Sequence, residues 1–259
     1  MNLPVITQEQ IDTLIFIFLR VSAMIAVMPV FGGDRAVPVL VKGGLSLLIT
    51  LLLFPFVKIS LGATSAGLFP MAAAMVGEIL IGCVIGFVAR FLFAGIQFAG
   101  ELIGFEMGFS MANVIDPVTS TQIPLISQFQ YIIAIVIFLT LNAHHVFFSA
   151  MAESFERIAP LQFHLSGQLT QTLCLYSKDV FLIAVKVSAP VVAVLIFTNI
   201  ALGIVARTVP QFNIFIIGFP LQIALGFIFL GLTAPMFVSF TSGLFLNLEK
   251  QIHVLLRMM

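Results

Sequence analysis

Six apolar stretches dominate this sequence, at about 11–31, 37–57, 68–99, 129–150, 178–206 and 212–246. Each is near or above the roughly 20 residues that carry a helix across a bilayer. In hydrocarbon every backbone N–H and C=O has to be bonded within the protein, so helices are the expected elements and an open sheet edge is not. The punctuation agrees: "MPVFGGDRAVP", "LFPFVKISLGATSAG" and "RTVPQFN" hold the breakers that separate runs. Residues 151–178, "MAESFERIAPLQFHLSGQLTQTLCLYSK", are the most polar part and read as an extramembrane connection with some amphipathic helix.

Composition narrows the classes further. Charged residues make up 8% of the 259, against about 25% in soluble domains, and the mean hydropathy is +1.20. Eleven basic residues balance eleven acidic ones, which gives no reason to expect a nucleic-acid partner. Cys83 and Cys174 form no framework and fit no metal spacing. "MNLPVITQEQID" carries no basic residue, and the apolar run after it is long enough to span, so a cleavable signal is not expected. If the runs are six spans, Lys58, Arg157, Lys178, Lys250 and Arg257 share one side, which the positive-inside bias places in the cytoplasm with both termini.

Two features depart from a plain lipid-facing bundle. The last run, with Pro220 and Pro235 inside it, is about 50 Å long as one helix, so it is kinked, re-entrant or a closed hairpin. There are 28 Phe, two Tyr and no Trp. Interfacial anchoring uses the polar edges of Trp and Tyr. A surplus of Phe points instead to apolar surface packed on partner proteins, or to a bias of composition.

The middle of the chain reads "GELIGFEMGFSMANVIDP". Written as a helix, Gly100, Gly104, Gly108 and Ala112 form one small-residue ridge, which permits close backbone approach. Ile103, Met107, Met111 and Ile115 form another row, and Phe105 and Phe109 lie on a third. A second GxxxG, Gly82 to Gly86, fits ordinary helix packing. The ladder suits lipid less well, since acids flank it and its helix propensity is poor. Such a segment is tolerated at membrane depth when buried in protein or lining a wet cavity. Asp116–Pro117 ends the helix, because the residue before proline is pushed out of the α region. The reading is a Gly-rich re-entrant loop carrying deformable Phe and Met groups, suited to closing a passage by dewetting.

Other polar residues carry less. Glu78 and Arg90 are about 120° apart by helical count and need not pair; Arg20 is similar. Asp179 and Lys186 lie on one face two turns apart, which favours structural or interhelical pairing over a transport site. His144 and His145 are adjacent, so their side chains diverge and make no metal site. No nucleophile, zinc-protease, phosphate-loop or dinucleotide spacing occurs, and Ser110 has no nearby histidine. An enzyme is not expected, nor a cofactor.

"GELIGFEMGFSMANVIDPVTSTQIPLISQF" and "VARTVPQFNIFIIGFPLQIALGF" resemble the signature regions of the FliR family of flagellar type III export proteins. The likeness extends to its injectisome counterpart, SctT, and covers essentially the whole chain, including "MPVFGGDRAVPVLVKGGLSLLITLLLFP". Arg207, Pro210, Gln211 and Asn213 match the family pattern, and "GFPL" favours the flagellar branch.

The resemblance implies one export-gate domain over 1–259. Residues 1–175 would be a FliP-like portion with a plug loop at about 100–124, and 176–259 a FliQ-like helical hairpin. The fold class is then all-α, polytopic and membrane-associated, with kinked long helices and a Gly-rich re-entrant plug. Phe105, Met107, Phe109 and Met111 would be the plug. Gly100, Gly104, Gly108, Ala112, Asp116 and Pro117 would serve hinge and close packing. Arg207, Pro210, Gln211, Asn213, Gly82 and Gly86 would lie at subunit interfaces. Implied partners are FliP-like and FliQ-like subunits, FlhB-like and FlhA-like export proteins, and unfolded substrates, at the flagellar basal body in the bacterial inner membrane. A small secondary transporter, which needs two related halves, and a scaffold without a conduit are the competing readings.

Overall fold

A computed structural model of the chain describes residues 7–31, 37–57, 67–109, 124–158, 163, 166–209 and 214–259. Among the described residues the structure is helical, with no strand. The helices are α1 (Gln8–Val27), α2 (Val39–Leu53), α3 (Leu68–Glu106), α4 (Leu125–Thr140), α5 (Ala143–Arg157), α6 (Gly167–Thr208), α7 (Ile214–Leu246) and α8 (Leu248–Met258). The all-α polytopic class is therefore observed: α1, α3, α6 and the stretch Ile216–Met258 are each long and apolar enough to cross a membrane.

Three boundaries differ from the sequence reading. Helix α3 continues to Glu106 and takes up the first part of the glycine ladder. The run at 129–150 is interrupted at Leu141–Asn142, where Asn142 has φ +54, a left-handed conformation that asparagine tolerates better than most residues. The last run is neither a hairpin nor re-entrant: α7 is one helix of 33 residues with Pro220 and Pro235 inside it. Proline in an apolar helix frees a carbonyl, which is tolerable where other groups crowd the backbone.

Backbone proximity divides the chain into two compact units. The first holds residues 1–90, 142–176 and 246–259. Its α1 packs against α2 and against the first part of α3, with Phe16, Ile17, Met24, Ile81 and Ile85 fully buried. Helix α2 is inside-out: Ser46 and Thr50 are buried, while Leu40 is 90% and Leu52 62% exposed. The buried hydroxyls are satisfied within α2, by the Lys42 carbonyl at 2.8 Å and the Ser46 carbonyl at 2.7 Å. Helix α8 is amphipathic and lays Leu248, Ile252, Leu255 and Leu256 into the core against α5.

The second unit holds residues 91–141 and 177–245. Its centre is aromatic: Phe93 meets the rings of Tyr131, Phe138 and Phe245 at 5.5, 5.7 and 5.2 Å. Such edge and tilted contacts add about 0.5–1.5 kcal/mol beyond burial, which gives part of the Phe surplus an interior use. Much of the rest faces outward. In an apolar 18-residue window of Ile216–Met258, 6% of the residues are buried within the chain, against 61% in such a window of Phe69–Glu106.

Candidate functional site

The ladder is positioned by three different contacts within the second unit. At Gly100 a Cβ would lie 2.4 Å from the Ser127 Cα, so α4 sits against bare backbone and any side chain collides. At Gly104 a Cβ would meet nothing closer than Ile126, at 3.9 Å, an ordinary contact. Helix α3 stops after Glu106, and Gly108 turns the chain with φ +86. That conformation is strained for residues with a Cβ. Its amide donates to the Phe105 carbonyl at 3.0 Å, and its open face lies against the Phe219 ring. Gly108 therefore lies past the end of α3 and does not continue the helical ridge of Gly100 and Gly104.

The residues singled out as a plug occupy unlike environments. Met107 is fully buried in a cluster with Ile103, Ile126, Val191 and Leu195. Its thioether presses on Gly226 of α7, where a Cβ would lie 2.6 Å away. Phe109 packs partly buried against the same cluster, whereas Phe105 is 67% exposed. The row Ile103–Met107 is thus the inward one. Beside this turn, the Gln222 amide donates to the Asn199 Oδ1, joining α6 to α7. Sequence reasoning passed over that pair, since one Asn and one Gln in separate apolar runs share no spacing.

Met111, Ala112, Asp116, Pro117, Pro210, Gln211 and Asn213 lie outside the described residues. Arg207 sits in the last turn of α6 and is exposed. Gly82 and Gly86 are buried, and the close approach they permit is made within the chain: a Cβ on Gly82 would lie 2.2 Å from the Arg20 carbonyl oxygen. His144 and His145 do not diverge, as their rings meet edge to face at 4.4 Å. Among the described residues no group of three His, Cys, Asp or Glu is placed to hold a metal.

The largest omission of the sequence reading is a buried charge network in the first unit. Arg20 is fully buried, and its Nε donates to Glu78 Oε2 at 2.5 Å. Nη1 donates to Ser154 Oγ at 3.0 Å and Nη2 to the Ile158 carbonyl at 3.2 Å, with the Phe155 ring 4.0 Å from the guanidinium. Three of the five guanidinium donors are so placed, as a buried arginine requires. The available signal was distance along each helix: the acids of α1, Glu9 and Asp12, lie two or more turns from Arg20, and Arg90 lies more than three turns from Glu78. Arg90, the partner weighed for Glu78, is exposed.

These features meet a consistent set of relatives. Residues 11–248 match the family described as bacterial export proteins, family 1. The flagellar biosynthetic protein FliR of Bacillus subtilis (strain 168) is 38% identical over 219 residues, covering 83% of each chain. Those of Pectobacterium carotovorum subsp. carotovorum and Escherichia coli (strain K12) are each 33% identical, covering 88% of this chain and 86% of theirs. The chain belongs to the bacterial export proteins, family 1, as a FliR-type component of the flagellar export apparatus.

Proposed function

We propose that this chain is a gate subunit of the flagellar export apparatus in the bacterial inner membrane, and that residues at about 100–124, from the end of α3 onward, plug the conduit. On this reading it assembles with FliP-like and FliQ-like subunits, beside FlhB-like and FlhA-like proteins. The part up to 175 plays the FliP-like role and 176–259 the FliQ-like one. Unfolded flagellar proteins are the cargo, and the chain acts as a structural barrier and not as an enzyme.

The observation that carries the plug reading is the contrast between Met107 and Phe105. Met107 is sealed into the second unit and Gly108 is turned against Phe219, so the root of the segment is fixed. Two residues earlier, Phe105 presents its ring outward at 67% exposure. A fixed root with a free apolar ring suits a constriction that excludes water and ions until a polypeptide displaces it. Phe109 and Met111 extend the same apolar character along the segment, and Gly104, Gly108 and Ala112 supply small positions about which it moves. Arg207, Pro210, Gln211 and Asn213, between two apolar runs, fix the α6–α7 connection and bond to neighbouring subunits.

The test is ion conductance of the assembly reconstituted in bilayers. Phe105→Ala is expected to raise leakage and Phe105→Ala with Phe109→Ala to raise it further, with subunit composition unchanged. Conductance at the wild-type level in an intact assembly defeats the plug assignment and leaves family membership standing.

A further inference from the structure

The second unit contains a cleft between α4, α6 and α7 whose wall is largely apolar and aromatic, with Lys186 as its single charged residue beside the polar Gln130 and Thr233. It is lined by Phe129 and Gln130 of α4, Lys186 and Pro190 of α6, and Phe237 and Phe240 of α7. From Val180 to Ala206, Lys186 is the single charged residue of α6. Asp179, the acid nearest in sequence, is two turns away and forms no ion pair with it. Among the described residues the acids in ion pairs are Glu78, Glu153 and Glu249, and none pairs with Lys186. Lys186 is exposed within the chain, so its charge is open to water or to a counter-charge supplied from outside.

Pro190 lines the cleft one turn after Lys186. Pro190 has no N–H, so the Lys186 carbonyl lacks the donor that residue 190 supplies in an uninterrupted helix. Phe129 is 57% and Met236 55% exposed at its margins, so the apolar walls continue outward.

We propose that this cleft is a docking groove for an apolar helix of a neighbouring subunit, and that a single carboxylate on that helix pairs with Lys186. Charge complementarity selects the occupant. A phosphodiester headgroup is held by clusters of basic groups, and this cleft has one; a lone carboxylate needs one. Ring-lined walls between helices also suit interdigitating side chains of a helix, as in other helix-in-groove contacts. The inference rests on the reading of this chain as a subunit among membrane neighbours, and it adds which surface is used and by what chemistry.

The experiment isolates tagged full-length chain from its native host, as wild type, Lys186→Met and Lys186→Glu. Removing one partner of a buried ion pair weakens association by roughly 30-fold or more, so Lys186→Met is expected to lose its neighbours on that scale. The chain isolated alone in detergent is expected to melt at the same temperature with Lys186→Met, because the exposed Lys186 forms no ion pair among the described residues. Lys186→Glu is expected to regain assembly when one acid in an apolar helix of a neighbour is changed to Lys. Wild-type yields of neighbours with Lys186→Met overturn the proposal, as does a lower melting temperature of the isolated variant. Loss of bound phospholipid phosphate with all protein neighbours retained assigns the cleft to lipid and overturns it too. Those outcomes leave the gate reading intact, whereas a wild-type chain that isolates without neighbours removes both.

Discussion

Helix α3 carries glycines four apart in two places, and the two places solve different problems. In the first unit, Gly82 and Gly86 form a true close-packing pair. A Cβ at either would fall within 3.0 Å of α1, at the Arg20 and Met24 carbonyl oxygens and the Ala23 and Val27 side chains. In the second unit the same spacing is divided among separate jobs. Gly100 takes the backbone of Ser127, Gly104 takes nothing tightly, and Gly108 supplies a left-handed turn. Repetition in sequence therefore does not establish repetition of role. What distinguishes the regions is what lies opposite: a continuous helix in one, and in the other a helix start followed by the end of α3 itself.

The first region is also pinned by charge, and breaking that pin is expected to have the largest effect. Glu78 is buried and is the carboxylate that Arg20 addresses. Removing one partner of a buried ion pair leaves the other charge uncompensated and costs about 3–5 kcal/mol. Glu78→Ala is expected to lower the chain's stability in detergent by that amount. Glu78→Gln, which still accepts from the guanidinium, is expected to lose less. Equal stability of Glu78→Ala and wild type would show that Arg20 is satisfied by Ser154, Ile158 and Phe155 alone. The second region holds its core with Met107 and Phe93, and has no such charge dependence among the interactions described.

The next effect separates the glycines that touch backbone from those that do not. Gly82→Ala and Gly100→Ala each place a methyl within 2.4 Å of main-chain atoms, which must move. Overpacking of this kind costs about 1–3 kcal/mol, and backbone is less able to yield than a side chain. Both variants are expected to be destabilised by thermal melting, Gly82→Ala through displacement of α1 and Gly100→Ala through displacement of α4. If only one is destabilised, the close approach at the other is not maintained in the membrane.

Much of the architecture was legible because long apolar runs have few solutions in lipid. The runs placed the bulk of the helices, although eight helices are described where six runs were read, and α3 continues into the glycine ladder. The failures have local causes. The helix-ending turn at Gly108 was invisible because glycine fits a ridge and a left-handed turn equally well. Gly95 escaped notice since it lies five residues from Gly100, outside the four-residue template, yet it meets Ile183 of α6 as closely as Gly86 meets Val27. Arg20 and Glu78 are 58 residues apart, and helical counting within one run cannot pair ions on two. Nor could α2 be read correctly: its two buried polar residues are Ser46 and Thr50, so its most apolar face points away from the chain. The sequence alone does not say which side of an apolar helix its own chain covers.

Gly104 gives the sharpest form of the comparison because its expected effect is smallest and opposite in sign. It stands in the same row as Gly100 and, by spacing, serves the same ridge. The space beside it is open to a methyl, with Ile126 at a normal 3.9 Å, and its φ is that of the helix. Alanine there restricts the unfolded chain and adds helix propensity, for a gain of at most about 1 kcal/mol. Gly104→Ala is therefore expected to raise the melting temperature of the isolated chain slightly, beside a clear loss for Gly100→Ala. If export falls in the Gly104→Ala strain while the isolated chain is stabilised, the glycine is kept for motion or for a neighbour's approach. If Gly104→Ala is destabilised as strongly as Gly100→Ala, the ridge packs as one surface and the division of labour drawn here fails.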